Sequence, residues 1–408
     1  MRTTKLIPLA AALTAGLLLA GCSADGEPTG ASGGDAPTTA NVDKAALDTG
    51  DYPTTPAPPY GYADPTSAGS IEGQRLSEFT TLPYEIDADL TEVKMPTGPL
   101  KDGGAVSMLI SGNVSQVALD NGMMTGFSTV ASTPGRDNSR SVLHAVLRFG
   151  DNAAATAAAE GIYQGLLTED SGMGLPVPEN IDVLPNTKVT VHDIPDLKKV
   201  DVNALTVHGD YIIYTWASAP TDQKDWTAKS VAKALQLQEP LLDKFPATPK
   251  DKTKELKIDQ NDLLIYAVPN KEGDARQTSQ MAVYGPRGMA HRSTNPQLTY
   301  EVLTGAGVEH AASYNTSVYR AASADDAITV LDAFVDDLTA AGFAAAPAPA
   351  GLPDAKCLAK DTTSGEENYC YVVNGRYMGE AGGLDKKDVD QQIAAQYLIL
   401  EQADQDAE

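Results

Sequence analysis

Apolar positions form one early block, Leu6–Ala20, and then strand-like alternations and helix-like spacings that come twice in the same order. Ser141–Phe149 alternates as a strand does, and Asp151 caps an alanine-rich helical stretch running to Leu167. Val189–His192 predicts a short strand. Ala204–His208 and Tyr211–Ala217 flank Gly209-Asp210 as antiparallel strands joined by a tight turn. Ala228–Phe245 then has the spacing of a long amphipathic helix. Downstream, Ser317–Arg320 predicts a strand, and Ser323 opens a helix that runs to Ala340. Lys356–Ala359 reads as a short strand, Asn368–Val373 pairs with Arg376–Glu380 across Asn374-Gly375, and Asp388–Ile399 is a helix.

The recurring order of strand, helix, strand, hairpin and helix predicts an internal duplication. The fold class expected is α+β, with two related domains, each an antiparallel sheet covered by helices. The competing reading is that so common an order arose without duplication. The domains are expected over 48–250 and 251–408, joined through the Lys-, Asp- and Pro-rich segment Pro246–Glu255. Leu263–Val268 and Gln280–Tyr284 are expected to form a hairpin that carries on into Gly288–His291. Ser107–Ile110 and Ser128–Ala131 are weaker strand candidates. Within 70–95 a short helix, then an edge strand or turn over Thr81–Asp87, then a second polar element are expected.

The early apolar block changes the picture at the other end of the chain. Arg2 and Lys5 followed by Leu6–Ala20 make an export signal over 1–21, too short to span a bilayer comfortably. Leu19-Ala20-Gly21-Cys22 resembles a bacterial lipobox, which implies cleavage before Cys22, acylation of its thiol and attachment to the extracytoplasmic face of the cell membrane. The alternative is a plain secretory signal with a chance cysteine. Residues 22–47 are poor in large apolar side chains and are expected to be a lipidated, disordered tether. From Tyr52 to Tyr62 four prolines stand among three tyrosines, which fits a stretch laid against the folded body better than further tether.

Composition narrows the function classes. The chain of 408 residues has a formal charge of −25, and loss of Arg2 and Lys5 with the signal takes it to −27 (−25 − 2). That balance argues against nucleic-acid partners. Of three cysteines, Cys357 and Cys370 remain in the exported part and read as one disulfide. The alternatives are two buried thiols or half a metal site, for which no nearby His or Cys supplies the missing ligands.

Candidate chemistry is sparse. The five histidines, His144, His192, His208, His291 and His310, show no helical i,i+4 pair and no zinc spacing. There is no nucleophile elbow and no phosphate-binding glycine loop. No catalytic residue, metal or cofactor is therefore expected. Aromatic residues gather at Tyr211, Tyr214, Trp216 and Trp226. If helices cover one face of the hairpin, the other presents rings, so Tyr214 and Trp226 are the candidates for a ligand or partner surface.

Several blocks resemble a family of actinobacterial, Mycobacteriales-type cell-surface lipoproteins with an N-terminal and a C-terminal domain of unknown function (DUF7373-like). They are Asp48-Thr49-Gly50-Asp51-Tyr52-Pro53-Thr54, Leu82-Pro83-Tyr84-Glu85-Ile86-Asp87, the cysteine-bearing Pro353–Cys357 and Tyr369–Tyr377, and the terminal Gln391–Leu400. The resemblance runs from residue 43 onward and supplies no catalytic residue. A looser, architectural likeness is to the extracellular sensor domains of mycobacterial serine/threonine kinases. The function expected is non-enzymatic binding of an envelope protein, lipid or glycan. The alternatives are a structural or sensory accessory of a membrane complex and, third, an envelope hydrolase.

Overall fold

The computed structural model describes residues 42–407 apart from 111–112, 136–138, 169, 171 and 276–277. The export signal and Cys22 lie outside the described residues. Two antiparallel sheets of seven strands each carry the duplicated pattern. Helices α1 (Ala68–Ser77) and α2 (Pro83–Ile86) precede β1 (Glu92–Leu100). Then come α3 (Asn113–Asp120), β2 (Thr125–Ser132), β3 (Ser141–Arg148) and α4 (Asn152–Thr168). The first half closes with β4 (Val177–Glu179), β5 (Lys188–Ile194), β6 (Lys199–His208), β7 (Tyr211–Pro220) and α5 (Lys224–Leu242). The second half opens with β8 (Ala282–Tyr284), α6 (Pro286–Ala290), α7 (Pro296–Gly305), β9 (Ala311–Ser313), β10 (Ser317–Arg320) and α8 (Ala324–Ala340). It ends with β11 (Ala344–Ala346), β12 (Lys356–Thr362), β13 (Gly365–Asn374), β14 (Tyr377–Gly383) and α9 (Lys386–Leu400).

The strand orders are β1-β2-β3-β7-β6-β5-β4 and β8-β9-β10-β14-β13-β12-β11, the same order with each number raised by seven. In each sheet the strand before the long helix lies beside the second strand of the hairpin. Both hairpins turn at a left-handed glycine, Gly209 (φ 61°) and Gly375 (φ 56°), where a Cβ would be strained. Register across them runs His208 to Tyr211 and Asn374 to Tyr377.

Each sheet is covered on both faces. In the first, Leu205, Ile212 and Tyr214 pack under α3 and α4 with Ala158 and Ile162. Ile213 and Tyr211 face the other way, against Leu76 of α1 and Leu242 of α5. In the second, Tyr319, Tyr371 and Met378 face α7 and α8, while Val318, Val372 and Ala381 face α9.

The halves are joined through buried polar contacts, and the described residues form one compact unit. Gln74 of α1 accepts from the backbone N–H of Val283 (3.3 Å) and donates to the carbonyl of Met281 (3.0 Å), which satisfies the outer edge of β8. The Glu78 carboxylate accepts from the N–H groups of Arg287 (2.9 Å) and Gly288 (3.0 Å) at the start of α6.

Some expected elements differ. Leu263–Val268 is not a strand: the Asp259 carboxylate accepts from the N–H groups of Leu263 and Ile265, winding a short 3-10 turn over Leu264–Tyr266. β8 pairs instead with β9, and Gly288–His291 falls in and after α6. Ser107 and Met108 end a 3-10 turn over Gly103–Met108. The tether expected to Leu47 already docks at Val42 and Leu47, and Tyr52 is buried in the core of the second half. Residues 42–60 thus strap onto the second sheet's α9 side, although they precede the first sheet in sequence.

Candidate ligand-binding cleft

The two aromatic candidates are held inside the first half. Tyr214 is only 2% exposed, and its hydroxyl donates to Asn203 Oδ1 at 2.8 Å. The expectation that it offers a surface ring fails because α3 and α4 cover the face that the alternation left open. Trp226 is half-buried: its indole N–H donates to Asp87 Oδ2 (2.6 Å), and the Arg140 guanidinium lies 5.1 Å over its ring. Arg140 also pairs with Asp87 at 3.0 Å, so the indole is stapled in place.

A different aromatic group lines a cleft on the α8 face of the second sheet. Tyr371 of β13 lies directly beside Glu380 of β14 in register, and Ser317 of β10 lies on its other side. The Tyr319 hydroxyl donates to Glu380 Oε2 (2.8 Å) and the Tyr371 hydroxyl to Oε1 (3.4 Å). Burial pushes the Glu380 carboxyl above its ordinary range, and burial with the neighbouring carboxylate pushes both tyrosine hydroxyls up. Both phenols therefore stay protonated as donors.

Rings stand around this carboxylate. Phe334 of α8 meets Tyr319 edge-on at 5.6 Å and Tyr371 at 6.4 Å. Phe343 meets Tyr369 at 5.6 Å. The space between them is a cleft of about 450 Å³. It continues past Ser313, Ser317 and Glu380 into a lobe of about 550 Å³ beside the turn Tyr314-Asn315-Thr316 and the exposed Leu384. Ser313 and Ser317 share a hydrogen bond of 3.1 Å at the junction. Two cations border the first lobe: Arg292, whose guanidinium donates to the Tyr284 hydroxyl (2.9 Å), and Lys360, which donates to the Ala341 carbonyl (2.6 Å).

Two family descriptions match the chain in succession: the N-terminal Domain of unknown function (DUF7373) over residues 59–258, and its C-terminal counterpart over 263–403. The chain belongs to the DUF7373 family. The boundary between the two matches falls just after the Tyr62–Lys257 bridge, and the cleft lies wholly within the C-terminal domain of this DUF7373 protein. No curated protein matches the chain. The extracellular domain of PknH from Mycobacterium tuberculosis is similar to part of it, at 13% identity and a TM-score of 0.30, covering 42% of this chain and 97% of that one.

Elsewhere the expected chemistry takes these positions. Cys357 and Cys370 are directly opposed in register on β12 and β13 and are joined, with an S–S distance of 2.05 Å. Asp390 lies near both sulfurs, but bonded sulfurs lack the thiolate a metal needs. His144 and His291 are fully buried and bonded to Thr215 and Thr129, respectively. His208 reaches Asp243, His192 the Met173 carbonyl, and His310 Asn261. An open apolar groove of about 590 Å³ runs between Ile181–Leu184 and α5.

Sequence reasoning missed the cleft. The signal was parity: Tyr369 and Tyr371 share a face of β13, and Glu380 is a carboxylate in the middle of a strand.

Proposed function

We propose that this DUF7373 protein is a non-enzymatic binding protein of the cell envelope, held at the extracytoplasmic face of the membrane by lipidated Cys22, that takes a ligand in the Glu380 cleft. The observation that carries the reading is the cleft itself: apolar rings with a few convergent polar groups around the half-buried Glu380 carboxyl, as in small-molecule sites. No helix among the described residues is long and apolar enough to cross a membrane. The lipobox resemblance at Leu19–Cys22 supports an anchor at the N-terminus. The non-catalytic part is supported by the lining of the two lobes, to which none of the five histidines contributes.

The test is retention. Protein purified from detergent-solubilised membranes, beside Tyr369→Ala, is exposed to an envelope extract, washed, and its bound small molecules identified by mass spectrometry. A species enriched on the native protein and lost from the variant, with the unfolding midpoints of both recorded, is the expected result. No species enriched over the variant, or turnover of an envelope substrate, overturns the proposal.

A further inference from the structure

We infer that the ligand of this cleft is an uncharged glycan segment of more than one sugar ring; the inference rests on the binding reading above. A carboxylate offers about four lone-pair sites. Two are taken by the Tyr319 and Tyr371 hydroxyls, one on each oxygen. The remaining carboxylate sites make this part of the floor rich in acceptors. A ligand that displaces water from these acceptors must bring donors of its own, because acceptors desolvated and left unfilled are costly. That excludes a purely apolar occupant such as an acyl chain.

Charge decides which donors. A cationic ligand would meet Arg292 and Lys360 at the border of the same lobe. An anionic one would meet Glu380, Glu367 and Asp337 in the cleft and a chain of net charge −25 around it. Hydroxyl groups donate without either penalty. The walls then fit the other half of a sugar. Half-buried Phe334 and Tyr369 line the cleft, and aromatic rings of this kind can meet the slightly positive C–H edges of a pyranose or furanose. Length follows from the second lobe. At about 450 and 550 Å³, meeting at Ser313, Ser317 and Glu380, each lobe is large enough to hold a small molecule. A single ring leaves one of them to water.

The test uses the chain lacking only its export signal, applied to an array of neutral, acidic and amino oligosaccharides with spermidine and palmitate as free competitors. The strongest neutral oligosaccharide is then titrated by calorimetry into native protein, Glu380→Gln and Tyr369→Ala. The expected result is signal confined to neutral glycans, weakened about 10–100-fold by E380Q and about tenfold by Y369A. Unchanged thermal midpoints separate these losses from misfolding, and Ser317→Ala provides a milder variant where E380Q is unstable. Signal only on charged glycans, displacement by spermidine or palmitate, or neutral binding indifferent to all three variants overturns the glycan assignment. In the first two cases the cleft still binds a ligand, so the broader reading stands. Cleavage of a neutral oligosaccharide supports the glycan class and overturns the non-catalytic role instead.

Discussion

His144 and His291 are the residues whose environment most constrains the protein's response to pH. His144 Nε2 lies 2.9 Å from Gln238 Oε1, which also accepts from the Thr81 N–H, so the imidazole must donate there as the Nε2–H tautomer. His291 Nε2 donates to the Thr80 carbonyl at 3.2 Å. Burial pushes His144 down to about 4; burial, with Arg287 and His144 nearby, pushes His291 down to about 3. The unfolded chain takes protons on both below the ordinary value of about 6.5 while the folded chain does not. Their contribution is complete above that value and is lost as pH falls toward the folded values. From pH 7 to pH 5 each costs roughly 2 kcal/mol. Glu78, Asp259 and Glu380 are raised by burial and act in the opposite sense, so the comparison must be with a variant. Urea unfolding at both pH values should show a drop in native protein that is about 2 kcal/mol smaller in His144→Asn. An equal drop in the two proteins would mean that His144 is not held neutral.

At the scale of elements, periodicity was readable where a strand or helix was long enough to show it. The β6–β7 and β13–β14 hairpins, α4, α5, α8 and α9 all stand near their expected places. The three-residue edges β4, β8, β9 and β11 are too short to carry a period. Helix α1 was blurred because Glu72 and Gln74 are buried polar residues, one paired with Arg148 and the other capping β8. The apolar run in β7 signals a strand buried on both faces, a rule usually applied to parallel sheets, and reading it as one-sided put Tyr214 on the surface. The disulfide was readable from cysteine number together with the expected export, and its place on adjacent strands fixes what it stabilises. It closes a loop of sequence separation 13 between β12 and β13, and α9 packs on the same sheet. Cys357→Ser/Cys370→Ser should lose roughly 2–4 kcal/mol. Hydrogen exchange should show the loss concentrated in β12–β14 and α9, with β2, β3 and β7 less affected. Uniform loosening would mean that the two sheets unfold as a single cooperative unit.

The whole molecule is organised around a chain that visits its second half first. Before building β1, the strap contacts α9: Tyr52 accepts from Gln392 Nε2 (2.9 Å) and donates to the Asp388 carboxylate (3.1 Å). Lys271 lies 4.8 Å over the Tyr52 ring, and Asp48 accepts from Gln391 at 2.9 Å. Sequence showed that tyrosines and prolines there suit a docked segment; it did not show the partner, because that contact joins positions more than 300 residues apart. The strap thus follows the proposed anchor in sequence, and two substitutions separate anchoring from folding. Tyr52→Ala removes a buried ring and leaves Asp388 and Gln392 short of a partner, so it should cost about 3 kcal/mol of stability while membrane attachment persists. On the proposal that Cys22 carries the lipid, Cys22→Ser removes the thiol to be acylated upstream of the strap, so it should leave the unfolding midpoint unchanged while the protein stays unprocessed or leaves the membrane fraction. Fractionation and thermal unfolding of both variants read the two effects independently. A processed C22S protein still in the membrane fraction would refute the lipid anchor. A Y52A protein as stable as the native one would show that the strap rests on the second half without holding it together.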